Sequence, residues 1–79
     1  MKLINKIENY LSDNEYRIII KENSINIINY DEILDFSLTK ISIRSKQKII
    51  IIEGKNLIIS KMLEDEILVI GNITNIRIN

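Results

Sequence analysis

Apolar positions along this chain change period once, near residue 15. Before that point Leu3, Ile4, Ile7, Tyr10 and Leu11 recur at helical spacing, with Lys2, Asn5, Lys6, Glu8, Asn9 and Ser12 between them. This predicts a short amphipathic helix over residues 1–14, ending near the polar Ser12-Asp13-Asn14. A helix of that length is marginal in water, so the stripe carrying Leu3, Ile7 and Leu11 needs a partner. Its own sheet, another protein and a membrane surface are the three candidates.

From residue 15 to residue 79 the pattern has a period of two, which predicts one small β domain. Tyr16-Arg17-Ile18-Ile19-Ile20-Lys21 reads as a first strand and Glu22-Asn23-Ser24 as a turn. Ser24-Ile25-Asn26-Ile27 alternates, then Ile28-Asn29-Tyr30 runs out of phase, as a bulge or a strand end would require. Leu34, Phe36 and Leu38 fall on one face against Asp35, Ser37 and Thr39, and the phase changes again at Lys40 before Ile41-Ser42-Ile43. Arg44-Ser45-Lys46-Gln47-Lys48 is the most polar run and predicts a hairpin loop. Residues 61–65 predict the last turn.

The end of the chain repeats itself. Ile49-Ile50-Ile51-Ile52-Glu53-Gly54-Lys55-Asn56-Leu57-Ile58-Ile59 and Ile67-Leu68-Val69-Ile70-Gly71-Asn72-Ile73-Thr74-Asn75-Ile76-Arg77-Ile78 each place a glycine between two apolar runs. Such β-branched runs favour strands. Gly54 and Gly71, the chain's two glycines, stand where a strand must turn or bulge, so a strand is expected on either side of each. The expected fold is all-β and mainly antiparallel, a two-layer or rolled sheet of about six to eight short strands with turns every 8–12 residues or so, preceded by the helix. Ile49 and Ile51 belong to a sticky segment flanked by Lys48 and Glu53. At a sheet edge it would add strands from a neighbour; in the interior it would simply be core.

Composition narrows the function classes. With 11 basic and 11 acidic residues the net charge is zero, against the basic surplus that phosphate neutralisation demands of a nucleic-acid binder; self-association is correspondingly easier. Cysteine and histidine are both absent, which removes thiolate nucleophiles, the usual zinc sites and imidazole acid–base catalysis. No apolar run exceeds four residues, far short of the roughly 20 that span a bilayer, and no secretory h-region develops. The expectation is a protein in solution or at a membrane surface.

Candidate chemistry is thin. Glu64-Asp65-Glu66 lacks the ligand spacing of a calcium loop and reads as a solvated turn. Asp31, Glu32 and Asp35 could pair as acid and base only across a cleft that nothing predicts. Arg44, Lys46 and Lys48 form a basic loop tip that reads as a solvated hairpin end before it reads as a phosphate or lipid contact. Gly54 and Gly71 stand outside any phosphate-binding motif. No catalytic, metal or cofactor site is expected, nor a small-molecule substrate.

Ile25-Ile27-Ile28, Phe36, Ile41-Ser42-Ile43, a Gly-x-x-Leu-x-Ile segment at Gly54-Lys55-Asn56-Leu57-Ile58-Ile59, and an acidic-led segment Glu66-Ile67-Leu68-Val69-Ile70-Gly71-Asn72-Ile73 together resemble the YabP/YqfC family of sporulation proteins. The resemblance spans residues 16–78, and the short N-terminal helix is closer to the YqfC branch. The chain departs from the family at Ser45-Lys46-Gln47-Lys48, where members often place a glycine, so a longer hairpin or another turn type is expected there. The resemblance implies a non-enzymatic protein made in the mother cell of an endospore former. It would act in the cytoplasm or peripherally at the forespore surface and spore envelope, with a membrane protein as partner and no cofactor.

The expected function is therefore structural: protein–protein assembly, homo-oligomeric or with that partner, through a sheet edge and the face of Leu3, Ile7 and Leu11 together with Ile49 and Ile51. An alternative reads the two repeats as coils of a short self-polymerising β-solenoid like the bactofilin scaffolds, although such stacks usually need about three repeats. A peripheral lipid- or nucleic-acid-binding β module ranks last, for want of basic charge and aromatic residues.

Overall fold

The computed structural model describes residues 16–79; the predicted helix over residues 1–14 lies outside the described residues. Six strands follow, β1 (Arg17–Lys21), β2 (Ser24–Ile28), β3 (Glu32–Phe36), β4 (Lys40–Ser45), β5 (Lys48–Met62) and β6 (Glu66–Ile78). They form one antiparallel sheet in the order β1-β2-β6-β5-β4-β3. The all-β antiparallel expectation holds for these residues.

The two repeats are the two arms of the β5–β6 hairpin, pairing antiparallel along their length. Coils of a solenoid would stack in parallel, so the repeats are not coils. Nor do strands end at the glycines: β5 and β6 run through them, with register shifts between Glu53 and Gly54 and between Lys55 and Ile58. At that crossing each strand touches the other's backbone. A Cβ on Gly54 would overlap the carbonyl oxygen of Asn72, and one on Gly71 would lie 2.8 Å from the carbonyl oxygen of Asn56. Gly71 also holds φ at 143°, a conformation open mainly to glycine. Neighbouring Asn56 absorbs the bulge at φ 55°, which asparagine tolerates better than most residues.

The crossing divides the sheet into two halves with matching parts. In one half β4 pairs with residues 48–53 of β5 and β3 lies outside it. In the other β2 pairs with residues 66–70 of β6 and β1 lies outside it. The glycine amides make equivalent bonds: Gly54 donates to the Thr39 carbonyl in the β3–β4 turn and Gly71 to the Asn23 carbonyl in the β1–β2 turn, both at 3.1 Å. A pseudo-twofold thus relates the halves, and the sequence repeat is its trace. Each isoleucine run is the inner strand of one half, and its post-glycine continuation is the rim of the other.

The core follows from this duplication. Ile25, Ile27, Ile67 and Val69 from one half and Ile41, Ile43, Ile50 and Ile52 from the other are buried in a single cluster with Leu57. Burying each such side chain stabilises by about 2 kcal/mol, so the packing of one half on the other is what makes so short a chain fold.

Two local expectations are corrected. Leu34, Phe36 and Leu38 do not share a face. A register shift between Ile33 and Asp35 sets Ile33 opposite Ile43 and Phe36 opposite Ile41, leaving Leu34 on the exposed bulge and Leu38 in the turn. The loop expected over Arg44-Ser45-Lys46-Gln47-Lys48 narrows to a two-residue turn at Lys46-Gln47, since Arg44 pairs with Ile49 and Ser45 with Lys48. Lys46 takes φ 60°, where a glycine would be comfortable, and its amide donates to the Asp31 carboxylate at 2.6 Å.

Candidate functional site

β4 covers β5 only as far as residue 53. Among the described residues no strand therefore pairs with the outer side of β5 beyond Leu57, and a groove opens between it, β3 and the β3–β4 turn. Its volume is about 590 Å³. Ile33, Ile41, Leu57 and Ile59 line its inner part, and Phe36, Leu38, Ile58 and Met62 its rim, with Ser37, Ser60 and Lys61 as the polar members. The rim is open to solvent: Phe36 is 66%, Leu38 62%, Met62 57% and Ile58 53% exposed. The turn is held in place from below, because Leu57 donates its amide to the Leu38 carbonyl at 2.9 Å. Ser37 Oγ in addition accepts from the amides of Thr39 and Lys40. An apolar, solvent-open trough of this kind suits an apolar segment of a protein.

The pseudo-equivalent groove lies between β1, the β1–β2 turn and the end of β6. It measures about 280 Å³ and mixes Ile20, Ile73 and Ile76 with Lys21, Glu22, Thr74 and Asn75. The fold makes two grooves, and the side chains make one of them apolar.

The residues singled out in the sequence lie elsewhere. Leu3, Ile7 and Leu11 are outside the described residues. Ile49 and Ile51 sit on an interior stretch of β5 between β4 and β6. They are half-buried on the outer face, Ile49 opposite Arg44 and Ile51 between Ser42 and Arg77. Among the described residues the open edges belong instead to β1 and β3 and to the rims of β5 and β6. Gly54 and Gly71 form the crossing already described.

Several of the charged side chains are engaged with one another. Arg44 donates to Glu32 at 2.9 Å and lies 3.8 Å from Asp31, while Asp35, on β3, stands opposite Ser42. Asp65 accepts the Asn29 amide through its carbonyl at 2.6 Å, and Glu66 accepts from the Asn26 side chain at 2.8 Å. Glu53 accepts from Asn75 at 2.9 Å and from Arg77 at 3.2 Å. The Asn75 bond, followed by the charges of Arg77 and Lys40, holds the Glu53 carboxyl below its ordinary value. Among the described residues no cluster of three acidic, histidine or cysteine groups is placed to hold a metal, and no helix is long and apolar enough to cross a membrane.

The sequence pattern points away from the groove, because it sets Phe36 on one alternating face with Leu34 and Leu38. A usable signal was present in Leu57-Ile58-Ile59. Three consecutive apolar residues on a strand force at least one outward, and here it is Ile58. No protein-family model, no curated protein and no solved structure matches this chain.

Proposed function

We propose that this chain is a non-enzymatic structural or adaptor protein of endospore formation, acting by protein–protein assembly at the developing spore envelope. The observation that carries the assembly part is the apolar groove, whose Phe36, Leu38, Ile58 and Met62 face solvent. Aromatic and aliphatic side chains in a shaped trough are the usual anchors of a protein interface. The sporulation part rests on the resemblance to the YabP/YqfC family. The absence of histidine and cysteine supports the non-enzymatic part. The partner is a protein offering an apolar segment, a membrane protein of the envelope in this reading. The chain works on the mother-cell side of the forespore surface.

Assembly with further copies is the second reading, favoured by the zero net charge and the free edges of β1 and β3. A fluorescent fusion followed through sporulation separates these readings from others. Recruitment to the forespore surface, lost in the double variant Phe36→Arg, Met62→Arg, is the expected result. Both substitutions fall on exposed side chains, so the fold should survive them. A fusion that stays dispersed, or recruitment that ignores the double variant, would overturn the proposal.

A further inference from the structure

We infer that copies of this chain join head to tail, the β1 edge of one adding to the β3 edge of the next. Among the described residues these are the two outer strands of the sheet. An outer strand presents backbone donors and acceptors that another strand can pair. The two edges carry opposite charge, for β1 is Arg17-Ile18-Ile19-Ile20-Lys21 and β3 is Glu32-Ile33-Leu34-Asp35-Phe36. Arg17, Lys21, Glu32 and Asp35 are all exposed. Arg17, Lys21 and Asp35 make no ion pair among the described residues.

Charge selects this pairing over two others. Setting β1 against β1 of a second copy faces Arg17 and Lys21 with the same two cations. Setting β3 against β3 faces Glu32 and Asp35 with two carboxylates. Like charges across a strand pair destabilise it and opposite charges stabilise it, so only β1 against β3 is attractive. Direction agrees. Every neighbouring pair in the six-stranded sheet is antiparallel, so β1 and β3, at its two ends, run in opposite senses. A copy set beside the first in the same orientation therefore adds its β1 antiparallel to β3, with the apolar faces on one side.

The faces then fix the register. Ile18 and Ile33 pack against the core, while Ile20 stands opposite buried Ile25 and Phe36 opposite buried Ile41. Arg17, Lys21, Glu32 and Asp35 take the other face, because side chains alternate and the bulge at Leu34 absorbs one residue between Ile33 and Asp35. With Lys21 opposite Glu32, Ile20 falls on Ile33 and Ile18 on Phe36, and Leu34 stays outside the ladder. Arg17 then lies diagonal to Asp35, within reach of a long side chain. The pairing covers Ile20 and Phe36, which are 60% and 66% exposed in the single chain. Such a contact is heterologous: each copy spends one edge and keeps the other open, so growth continues past a dimer. This gives a form to assembly with further copies, the second reading above, and rests on it.

Light scattering on the purified chain and three variants tests the pairing. The variants are Arg17→Glu with Lys21→Glu, Glu32→Lys with Asp35→Lys, and all four together. Every altered side chain is exposed, so the fold should survive, as urea midpoints would check. The average mass of the parent should climb past that of a dimer between about 10 μM and 1 mM, the range suited to a small, reversible interface. Both two-residue variants should stay monomeric. The fourfold variant, with opposite charges restored at the edges and its charge changes cancelling, should assemble as the parent does. A parent that stays monomeric or stops at a dimer would overturn the inference. So would a two-residue variant that assembles like the parent, or a fourfold variant that stays monomeric. None of the four side chains lines the apolar groove, so this result and recruitment through the groove stand or fall separately.

Discussion

Two grooves occupy equivalent places in the two halves of the sheet, yet one is broad and apolar and the other small and half polar. The backbone treats them alike. Each is roofed by a hairpin turn whose carbonyl accepts the amide of a crossing glycine, Thr39 for Gly54 and Asn23 for Gly71. The difference lies in what the post-glycine rims carry: Leu57-Ile58-Ile59 and Met62 on one, Ile73-Thr74-Asn75-Ile76 on the other. The turns differ in the same sense, Ser37-Leu38-Thr39 against Glu22-Asn23. A duplicated scaffold can thus keep its core symmetric while its two openings diverge. Stability constrains the shared positions, and the side chains of the openings are free for contact.

The outer faces diverge as well. The half containing β4 carries polar networks, Arg44 with Glu32 and Asp31, and Glu53 with Asn75 and Arg77. The half containing β2 has the Asn26–Glu66 bond and otherwise presents Ile28, Leu68 and Ile70, half-buried, at corresponding places.

The largest test of the shared scaffold is the crossing. Gly54→Ala and Gly71→Ala should each cost about 3 kcal/mol or more, since backbone on the partner strand must move. Urea unfolding would show both losing most of their stability, and tolerance of either would break the equivalence. Next come matched core truncations. Ile27→Ala and Ile43→Ala remove fully buried side chains from β2 and β4 and should cost about 3 kcal/mol each. Costs that differ severalfold would mean that one half dominates the fold.

Smaller effects should be one-sided. Lys46→Gly relieves a left-handed lysine and should stabilise by about 0.5–1 kcal/mol. Asn29→Gly at the end of β2 should gain less, because asparagine accepts φ 69°. The smallest expected effect is acid sensitivity. The Glu53 carboxyl is depressed when folded, so its contribution is present above the ordinary value of 4.5 and is lost as pH falls through the lower, folded value. Denaturant midpoints between about pH 3 and pH 6 should therefore fall less steeply for Glu53→Gln than for the parent.

The strands were largely legible in the chain because alternation is a direct consequence of sheet geometry: β2 and β4 follow from Ile25-Asn26-Ile27 and Ile41-Ser42-Ile43. The repeat and its glycines were legible too, but their meaning was not. Whether a glycine ends a strand or lets two strands cross depends on Asn72 and Asn56, residues distant in sequence that press on Gly54 and Gly71. The β3 bulge hid Phe36 for the same reason, since register is set by β4 and not by β3 alone. The groove exists because β4 stops pairing at Glu53 while β5 continues to Met62. That is a property of strand lengths across the sheet, which local pattern does not encode.

The abundance of isoleucine makes methyl resonances the most direct probe of the central claim, that the two equivalent grooves differ in what they take up. Isoleucine methyl spectra of the chain would be compared with and without a short apolar peptide added as a probe of the two grooves. Shifts concentrated at Ile33, Ile41, Ile58 and Ile59, with Ile20, Ile73 and Ile76 unmoved, are the predicted result. Shifts centred on Ile20, Ile73 and Ile76, or spread evenly over both sets, would contradict it.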